Sequence, residues 1–296
     1  MASLIAFLLS LLPAFQSTPP AAPAPEYTIQ AIRFGTIAQF RTSGLVVGAD
    51  PEEKLDIATI VWLIRGNGKN ILFDTGYHRK TPGFDRFNTV DFVSPDEAVK
   101  LAGVQPDQIT DVIVSHIHWD HMGGIDLFPK ATIWIQKDEY QYYMGTAYQP
   151  GGKRGGELED LQELLRRNVT CAGPAGNRGN AAPAPTCGKV VLIDGDDREI
   201  MPGIRVYTGA RHTYASQYIR VAGNPTYVLA SDNCYLYRNI DTKAPIATFD
   251  PVDRFANVAS FDRMISLAGA KERVLPGHDM LVFKKFPTEG RIAKIK

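Results

Sequence analysis

Three histidines and an aspartate lie within six residues in the segment SHIHWDHMGG (115–124), in a chain that holds only six histidines. Imidazole nitrogens and carboxylate oxygens are ligands that suit zinc. One loop cannot close a complete site alone, because His116 and His118 are expected to point to one position, and Asp120 and His121 to a neighbouring one. The segment therefore predicts half of a site for two metal ions, and each pair needs further ligands from elsewhere.

The later part of the chain offers three candidates for the missing ligands. His212 follows the strand-like run IRVYTG, and His278 follows RVLP, so both lie where a strand passes into a loop. Asp232 ends the apolar run TYVLASD, where a carboxylate needs a cation or a hydrogen-bond network to offset its burial. We predict that Asp232 bridges the two metals. We interpret His78 as a structural residue.

Alternating and apolar runs predict the elements that must position these residues. The predicted strands are 27–35, 57–65, 70–76, 110–115, 131–136, 204–209, 216–222, 226–232 and a short run from 273. The predicted helices are 94–104, 137–145, 157–168 and 250–269. Strands and helices recur in two similar halves, which indicates two sheets packed face to face with helices outside.

Two of these helices carry start signals. Ser94 is a predicted N-cap, Pro95 occupies the first helical position, and Glu97 would complete a capping box. Asp250 and Pro251 repeat the cap and proline at the start of the last helix.

Composition narrows the class of protein. The chain has 296 residues, 44% of them hydrophobic, which suits a globular protein with a sizeable core. Lysine plus arginine equals aspartate plus glutamate at 32 each, so no long-range field attracts nucleic acid or anionic lipid.

The N-terminus carries an apolar run from Leu4 to Leu12 followed by STPPAAPAPE. The run is too short to cross a bilayer as a helix but suits the core of a signal peptide. We therefore predict a leader and proline-rich linker over residues 1–26 and an exported protein, periplasmic or secreted. A cytoplasmic protein is the alternative, because no lysine or arginine precedes the run.

Cys171 and Cys187 bracket a stretch rich in glycine, alanine and proline. A disulfide between them would tether that loop, and two reduced thiols on a surface insertion are the alternative. Cys234 is expected to be a small buried residue in a strand.

The order H-x-H-x-D-H, a later histidine, an aspartate that ends a strand, and G-H-D resembles the metallo-β-lactamase fold superfamily and is most similar to N-acyl-homoserine lactonases. Asp74 in FDTG and Tyr235 in D-x-x-Y are two further matches, and the resemblance covers roughly Tyr27 to Phe286. It implies an α/β (α+β) fold, an αββα sandwich of two mixed β-sheets with helices on the outer faces. It also implies one hydrolase domain over 27–296 with an insertion at 145–187.

The resemblance assigns a role to each site residue. One metal falls to His116, His118 and His212, the other to Asp120, His121 and His278, and Asp232 serves both. Asp74 would orient a ligand histidine. Two divalent metal ions are the implied cofactors. We expect Zn²⁺ from the ligand types, although iron, cobalt and manganese occupy similar sites.

The activity that the resemblance implies is lactone hydrolysis. A hydroxide that bridges the metals would attack the ester carbonyl, Tyr235 would donate a hydrogen bond to the oxyanion or the substrate, and Asp120 would relay a proton to the leaving alkoxide. The partner would be a small-molecule lactone with an acyl chain, and the family allows a homodimer. We expect no nucleic acid partner and no stable membrane association after leader removal.

Some features depart from the lactonase pattern. Arg211 stands beside His212 where many relatives have glycine, and the stretch 145–187 is longer and richer in glycine and proline than a compact lactonase needs. The enzyme alternatives are another ester, a thioester, a β-lactam or a phosphoester, of which Asp232 disfavours the β-lactam. An inactive metal-binding scaffold is the alternative from a different class.

Two aromatic features have competing interpretations. Trp119, inside the histidine motif, is expected to pack beneath the loop and not to line a pocket. The stripe EYQYYMG (139–145) is expected to pack in the core, with part of an acyl-chain pocket as the alternative.

Overall fold

A computed structural model of the chain describes residues 26–78, 81–170, 188–247 and 254–296. The predicted leader, the two cysteines Cys171 and Cys187, and the predicted cap Asp250 lie outside the described residues. In the described ranges, no helix combines the length and the hydropathy that a membrane span requires.

Most of the described chain belongs to strands and helices that alternate along the sequence. The strands are β1 Thr28–Arg41, β2 Lys54–Gly66, β3 Lys69–Phe73, β4 Thr89–Val90, β5 Asp111–Ile113, β6 Thr132–Gln136, β7 Val190–Ile193, β8 Arg198–Met201, β9 Ile204–Thr208, β10 Gln217–Val221, β11 Tyr227–Ser231, β12 Val274–Pro276, β13 Thr288–Glu289 and β14 Ile292–Lys294. The helices are α1 Pro82–Arg86, α2 Pro95–Leu101, α3 Trp119–Met122, α4 Lys137–Met144, α5 Leu158–Thr170, α6 Tyr237–Thr242, α7 Arg254–Ala268 and α8 Val282–Lys285.

These strands form two mixed sheets. Among the described residues, the first sheet has nine strands in the order β13-β14-β1-β2-β3-β5-β6-β7, with β4 paired to β1. Its β1 and β2 side is antiparallel, whereas β3, β5, β6 and β7 run parallel. The second sheet has five strands in the order β12-β11-β10-β9-β8, and only the β11–β12 pair is parallel. The predicted pair of mixed β-sheets is confirmed.

Alternation along the strands divides the core into three layers. In β2, Trp62 and Ile64 face the second sheet and pack in one cluster with Val206 and Ile219, while Val61 packs on the opposite face. That opposite face is covered by α2, α4 and α5. The outer face of the second sheet is covered by α7, which contributes Phe261 and Met264. The helices therefore lie outside the two sheets, as predicted.

The local differences from the sequence prediction have physical causes. Pro95 begins α2 and Ser94 takes the N-cap position, but the predicted capping box is wrong because the Ser94 side chain makes no capping hydrogen bond. The Glu97 carboxylate accepts a hydrogen bond from Lys100 instead. The strand predicted over 27–35 continues to Arg41. Its pairing with β2 shifts register twice, first between Arg33 and Gly35, so the strand does not end at the glycine.

Candidate metal centre

The predicted site residues follow the carboxyl ends of strands that share one edge of the sandwich. Asp74 follows β3, and the histidine motif follows β5, its parallel neighbour. In the second sheet, β9, β11 and β12 run in one direction, and His212, Asp232 and His278 come after their last residues. Because the ends of parallel strands meet at one edge, loops from both sheets converge there.

The structure brings all seven predicted ligand residues into two adjoining groups. The ligand atoms within each group lie within 4.8 Å of one another, and the groups are His116, His118, His212 and Asp232, and Asp120, His121 and His278. His118 and Asp120 are half-buried and the other five are buried. The two groups fit a dinuclear site for divalent metal ions, which agrees with the cofactor prediction at that level.

The carboxylate of Asp232 lies between the two groups. Its Oδ2 lies 3.2 Å from Nε2 of His212 and 3.6 Å from Nε2 of His116. Its Oδ1 lies 2.9 Å from Nε2 of His278 and 3.1 Å from Nε2 of His121. Each oxygen thus faces one group, which is the arrangement that a bridging carboxylate requires.

Two buried atoms at the centre have no hydrogen-bond partner. Nε2 of His121 and Oδ1 of Asp232 are both inaccessible and make no hydrogen bond, although they lie 3.1 Å apart. Buried polar atoms without a partner are costly, so such a pair needs an explanation. A cation held between the two atoms would satisfy both, and this supports the fit of the residues to a metal.

Four histidines are anchored at the ring nitrogen that points away from the centre. The Nδ1 contacts are His116 with Ser115 Oγ at 2.8 Å, His121 with Asp74 Oδ2 at 2.8 Å, His278 with the Ala58 carbonyl at 2.9 Å, and His212 with Tyr235 Oη at 3.3 Å. Such contacts orient the rings, and the carboxylate of Asp74 and the carbonyl of Ala58, which can only accept, hold a proton on Nδ1 of His121 and His278. His118 presents Nδ1 instead, 2.9 Å from Nε2 of His212.

The two groups differ in electrostatics. Burial, together with the neighbouring histidines, holds the pKa of His116 well below its usual value and lowers that of His118 to about 3. Burial also disfavours protonation of His121, but the carboxylates of Asp232 and Asp120 outweigh it and raise the pKa of His121 well above its usual value. The pKa values of the histidines therefore shift in opposite directions in the two groups, down for His116 and His118 and up for His121.

A profile of the metallo-beta-lactamase superfamily matches residues 57–278, which include the whole centre. The chain belongs to this superfamily. One relative is the N-acyl homoserine lactonase AiiB of Agrobacterium fabrum, 24% identical over 201 residues that cover 62% of this chain and 66% of that relative. The chain thus spans just under two thirds of the length of that relative.

Several solved structures share this fold. A quorum-quenching N-acyl homoserine lactone lactonase superposes with a TM-score of 0.67 at 19% identity, covering 88% of this chain and 95% of that one. AidC, a dizinc quorum-quenching lactonase in complex with a product, superposes with a TM-score of 0.60 at 16% identity, covering 87% and 89%.

Tyr235 lies against the group formed by His116, His118, His212 and Asp232. It is buried, and burial together with Asp232 raises the pKa of its phenol well above the usual value, so the phenol is neutral. Its oxygen lies 3.3 Å from Nδ1 of His212. When Nε2 of His212 binds a metal, Nδ1 carries the proton and donates a hydrogen bond to the Tyr235 oxygen, which leaves the phenolic proton for another group.

The contacts around the histidine motif decide between the interpretations given above for Trp119 and for the stripe 139–145. The Trp119 ring stacks on Phe87 at 5.6 Å and meets the Tyr77 ring edge-on at 4.4 Å, so its predicted packing role is confirmed. In the stripe 139–145, Tyr140 and Tyr143 belong to the buried core as expected.

Arg211, the departure beside His212, is exposed and adopts a left-handed backbone with a φ of 58°. Its guanidinium carbon lies 5.8 Å from the centre of the Tyr214 ring. That ring stacks in turn on Tyr142 at 4.1 Å. Arginine thus occupies a conformation that favours glycine, and its charge lies over an aromatic pair.

Sequence reasoning missed three buried polar residues that support the centre. Ser115 and Ser231 each place Oγ within 3.0 Å of Asp74 Oδ2, and each immediately precedes a site residue in the chain. Glu139 in α4 is fully buried, and burial raises its pKa to about 7 while three hydrogen bonds oppose the shift. The signal for the serines was their position next to His116 and Asp232.

Proposed function

We propose that the chain is a metal-dependent hydrolase with two divalent ions, and that it opens the ring of N-acyl-homoserine lactones or related lactones. The observation that carries the proposal is Asp232, whose two oxygens face the two histidine groups at 2.9–3.6 Å. A pair of divalent ions, when bound, supplies activation of water and polarisation of a carbonyl oxygen, which is the chemistry of hydrolysis.

The site residues of the chain divide the remaining tasks. His116, His118 and His212 would hold one ion, Asp120, His121 and His278 the other, and Asp232 both. The contacts at Nδ1 support this assignment, because they keep the Nε2 atoms of His116, His121 and His278 aimed at the centre.

Asp120 is suited to moving the proton. Its side chain is 14% exposed, and its Oδ2 lies 3.5 Å from His121 Nε2 and 3.7 Å from His278 Nε2. Burial disfavours its charge, but His121 outweighs burial and holds the pKa of Asp120 below its usual value. The carboxylate can therefore accept the proton of the attacking water and deliver it to the alkoxide that leaves when the ring opens.

Tyr235 is suited to hydrogen bonding with the substrate. Its oxygen is occupied as an acceptor by His212, so its own proton is available to the carbonyl oxygen as negative charge develops. A neutral phenol is the form that can donate, and the raised pKa of Tyr235 keeps it neutral near pH 7.

The proposal of a lactone substrate rests on the names of the relatives. Several relatives are named N-acyl homoserine lactonases, and one solved neighbour holds the product N-hexanoyl-L-homoserine at its catalytic metal centre. The chain is 24% identical to the first of these relatives, so the substrate class is our proposal for this chain.

A substrate panel tests the proposal directly. The purified, metal-supplemented full chain is assayed for acid release from N-hexanoyl-homoserine lactone, γ-butyrolactone, a carbapenem and a phosphodiester. We expect turnover of the lactones. Turnover of the phosphodiester alone would overturn the substrate class, and far less than one metal ion per chain would favour an inactive scaffold.

A pair of histidine variants tests the site. His118→Ala removes a ligand and should abolish turnover while the protein stays folded. His78→Ala is the matched control, because His78 pairs with Asp126 outside both ligand groups and should leave turnover unchanged. Substantial lactone hydrolysis by His118→Ala would reject the assigned site.

We also propose export, from the apolar run at Leu4–Leu12. The full gene expressed in a Gram-negative host should yield a mature protein cleaved between Ala14 and Ala22. N-terminal sequencing of the purified protein would instead return the initiating segment if the chain is cytoplasmic.

A further inference from the structure

Glu139 is a buried carboxylate without a counter-ion in the described part of the chain. It is the third residue of α4 and is 0% exposed. Among the described residues, no lysine, arginine or histidine lies within salt-bridge distance of it, whereas ion pairs elsewhere hold most other buried acids. An ionised group that loses its water must be compensated, so the partners of Glu139 need to be identified.

Three hydrogen-bond donors replace the missing cation. Oε1 accepts from the backbone N–H of Ile117 at 3.2 Å and from the hydroxyl of Thr213 at 2.6 Å. Oε2 accepts from the backbone N–H of Ala215 at 2.6 Å. When Glu139 is ionised, each is a charge-assisted bond, which is stronger than a bond between neutral groups.

These donors belong to the two loops that carry one metal group. Ile117 lies between His116 and His118, and Thr213 follows His212 directly. The first loop follows β5 in one sheet, and the second follows β9 in the other sheet. The carboxylate therefore joins the loops immediately behind three histidines of one group.

The distance between the two loops matters for metal binding. Nδ1 of His118 lies 2.9 Å from Nε2 of His212 and 3.1 Å from Nε2 of His116, so three ligand nitrogens converge on one position. A tetrahedral site tolerates little change in such spacings, since the bonds from ligand to metal are only about 2 Å long.

The second metal group has different supports. His121 is anchored by Asp74, and His278 by the carbonyl of Ala58. Neither contact involves Glu139 or the loop after β9. Glu139 thus contacts only the loops of the first group, whereas Asp74 contacts His121 directly and reaches His116 only through Ser115.

We propose that Glu139 is a positioning residue for the metal bound by His116, His118 and His212, and that it sets the affinity of this ion without setting that of the other. The proposal rests on the proposed dinuclear site. Glu139 does not contact the substrate. It affects the reaction only because it sets the spacing of the metal ligands.

The test compares variants at both ends of the same hydrogen bond. Glu139→Gln keeps the shape but presents an amide N–H to one of the donors, and Thr213→Val removes the hydroxyl while keeping the volume. Thr213→Ser keeps the hydroxyl and is the matched control. Metal content of the full chain is measured after dialysis against graded chelator, and cobalt-substituted protein is followed by its electronic spectrum.

We expect two ions per chain in the unaltered protein and in Thr213→Ser. In Glu139→Gln, one ion should be retained as before and the other held about 10- to 100-fold more weakly, as for other residues that support metal ligands. Thr213→Val should weaken the same ion, and the double variant should lose less than the sum of the two single losses, because both remove one contact. Raising the metal concentration should restore the turnover of Glu139→Gln.

Several results would overturn the proposal. Two ions held with unchanged affinity in Glu139→Gln, together with a lower melting temperature of the metal-free protein, would mean that Glu139 only stabilises the fold. An equal loss of affinity for both ions would show that Glu139 does not act on one group selectively. If Glu139→Gln does not fold, Thr213→Val against Thr213→Ser decides alone. An unaltered chain that binds no metal would refute the proposed function itself, which is a distinct result.

Discussion

Nδ1 of His121 lies 2.8 Å from Oδ2 of Asp74, and both side chains are buried. The same oxygen accepts hydrogen bonds from the hydroxyls of Ser115 and Ser231, which come from different sheets. Asp74 thus joins both sheets beneath the centre. Since it accepts the Nδ1 proton of His121, it also fixes the tautomer that leaves Nε2 free for a metal.

Asp74→Asn should weaken the metal held by Asp120, His121 and His278. The amide can donate to Nδ1 of His121, which favours the tautomer with the proton on Nε2, where the metal should bind. We expect a loss of affinity of about 10- to 100-fold for that ion, measured by competition with a chromophoric chelator. Asp107→Asn, at an exposed aspartate paired with Lys130, is the control. Unchanged affinity for both ions would contradict the role given to Asp74.

Tyr235→Phe should lower turnover without loss of metal. The variant keeps the ring packed against His212 at 5.6 Å but removes the phenolic proton. We expect kcat to fall by roughly 100-fold, as for removal of one donor to a developing oxyanion, with little change in KM. Tyr148→Phe, at an exposed tyrosine, is the control. Steady-state kinetics with metal content measured on the same samples check this, and full activity of Tyr235→Phe would exclude its participation.

The seven residues that the structure brings together could be predicted from the sequence because their signals are local. The histidine motif is contiguous, and Asp232 is a carboxylate directly after a strand whose five residues are all buried. Such a residue needs a cation or a network, so its position alone is informative. The strands around the site were equally visible, since their apolar and β-branched runs are bounded by polar residues.

Glu139 could not be found in this way. Its partners Ile117 and Thr213 are 22 and 74 residues away, and only the packing of both sheets brings them to the start of α4. In the sequence it is a glutamate beside buried tyrosines, a pattern that predicts only a helix with one face in the core.

The short strands β7 and β8 were also missed. Each has four residues and neither is fully buried; β8, REIM, has only two apolar residues, whereas β7, VVLI, is an apolar run that the prediction left out. Their pairing with β6 and β9 is what defines them as strands.

The raised pKa of Asp160, a residue away from the metal centre, predicts that the stability of the fold depends on pH. Burial and the carboxylates of Asp126 and Glu157 raise the pKa of Asp160 to about 7. Its pKa in the unfolded chain is about 3.9, so folding favours the protonated form. Stability is therefore lost as pH rises above about 4, and the loss is complete above the folded pKa.

Asp160→Asn should remove this loss. The difference in unfolding free energy between Asp160→Asn and the unaltered protein should grow between about pH 4 and 7 and stay constant above that. Urea denaturation at a series of pH values measures it, with Asp107→Asn as the exposed control. A difference that does not change with pH would contradict the raised pKa of Asp160.

Arg211→Gly should stabilise the protein. Arg211 has a φ of 58°, and the left-handed region costs an L-residue about 1–2 kcal/mol relative to its favoured conformations. Glycine adopts this region without that cost but loses more backbone entropy on folding, so we expect a net gain of up to about 1 kcal/mol. Arg211→Ala separates backbone from charge, because it removes the guanidinium over Tyr214 and keeps the strain. Urea denaturation should show a gain for glycine and none for alanine. An equal gain for both would mean that the arginine destabilises the fold through its charge next to His212, and not through its backbone.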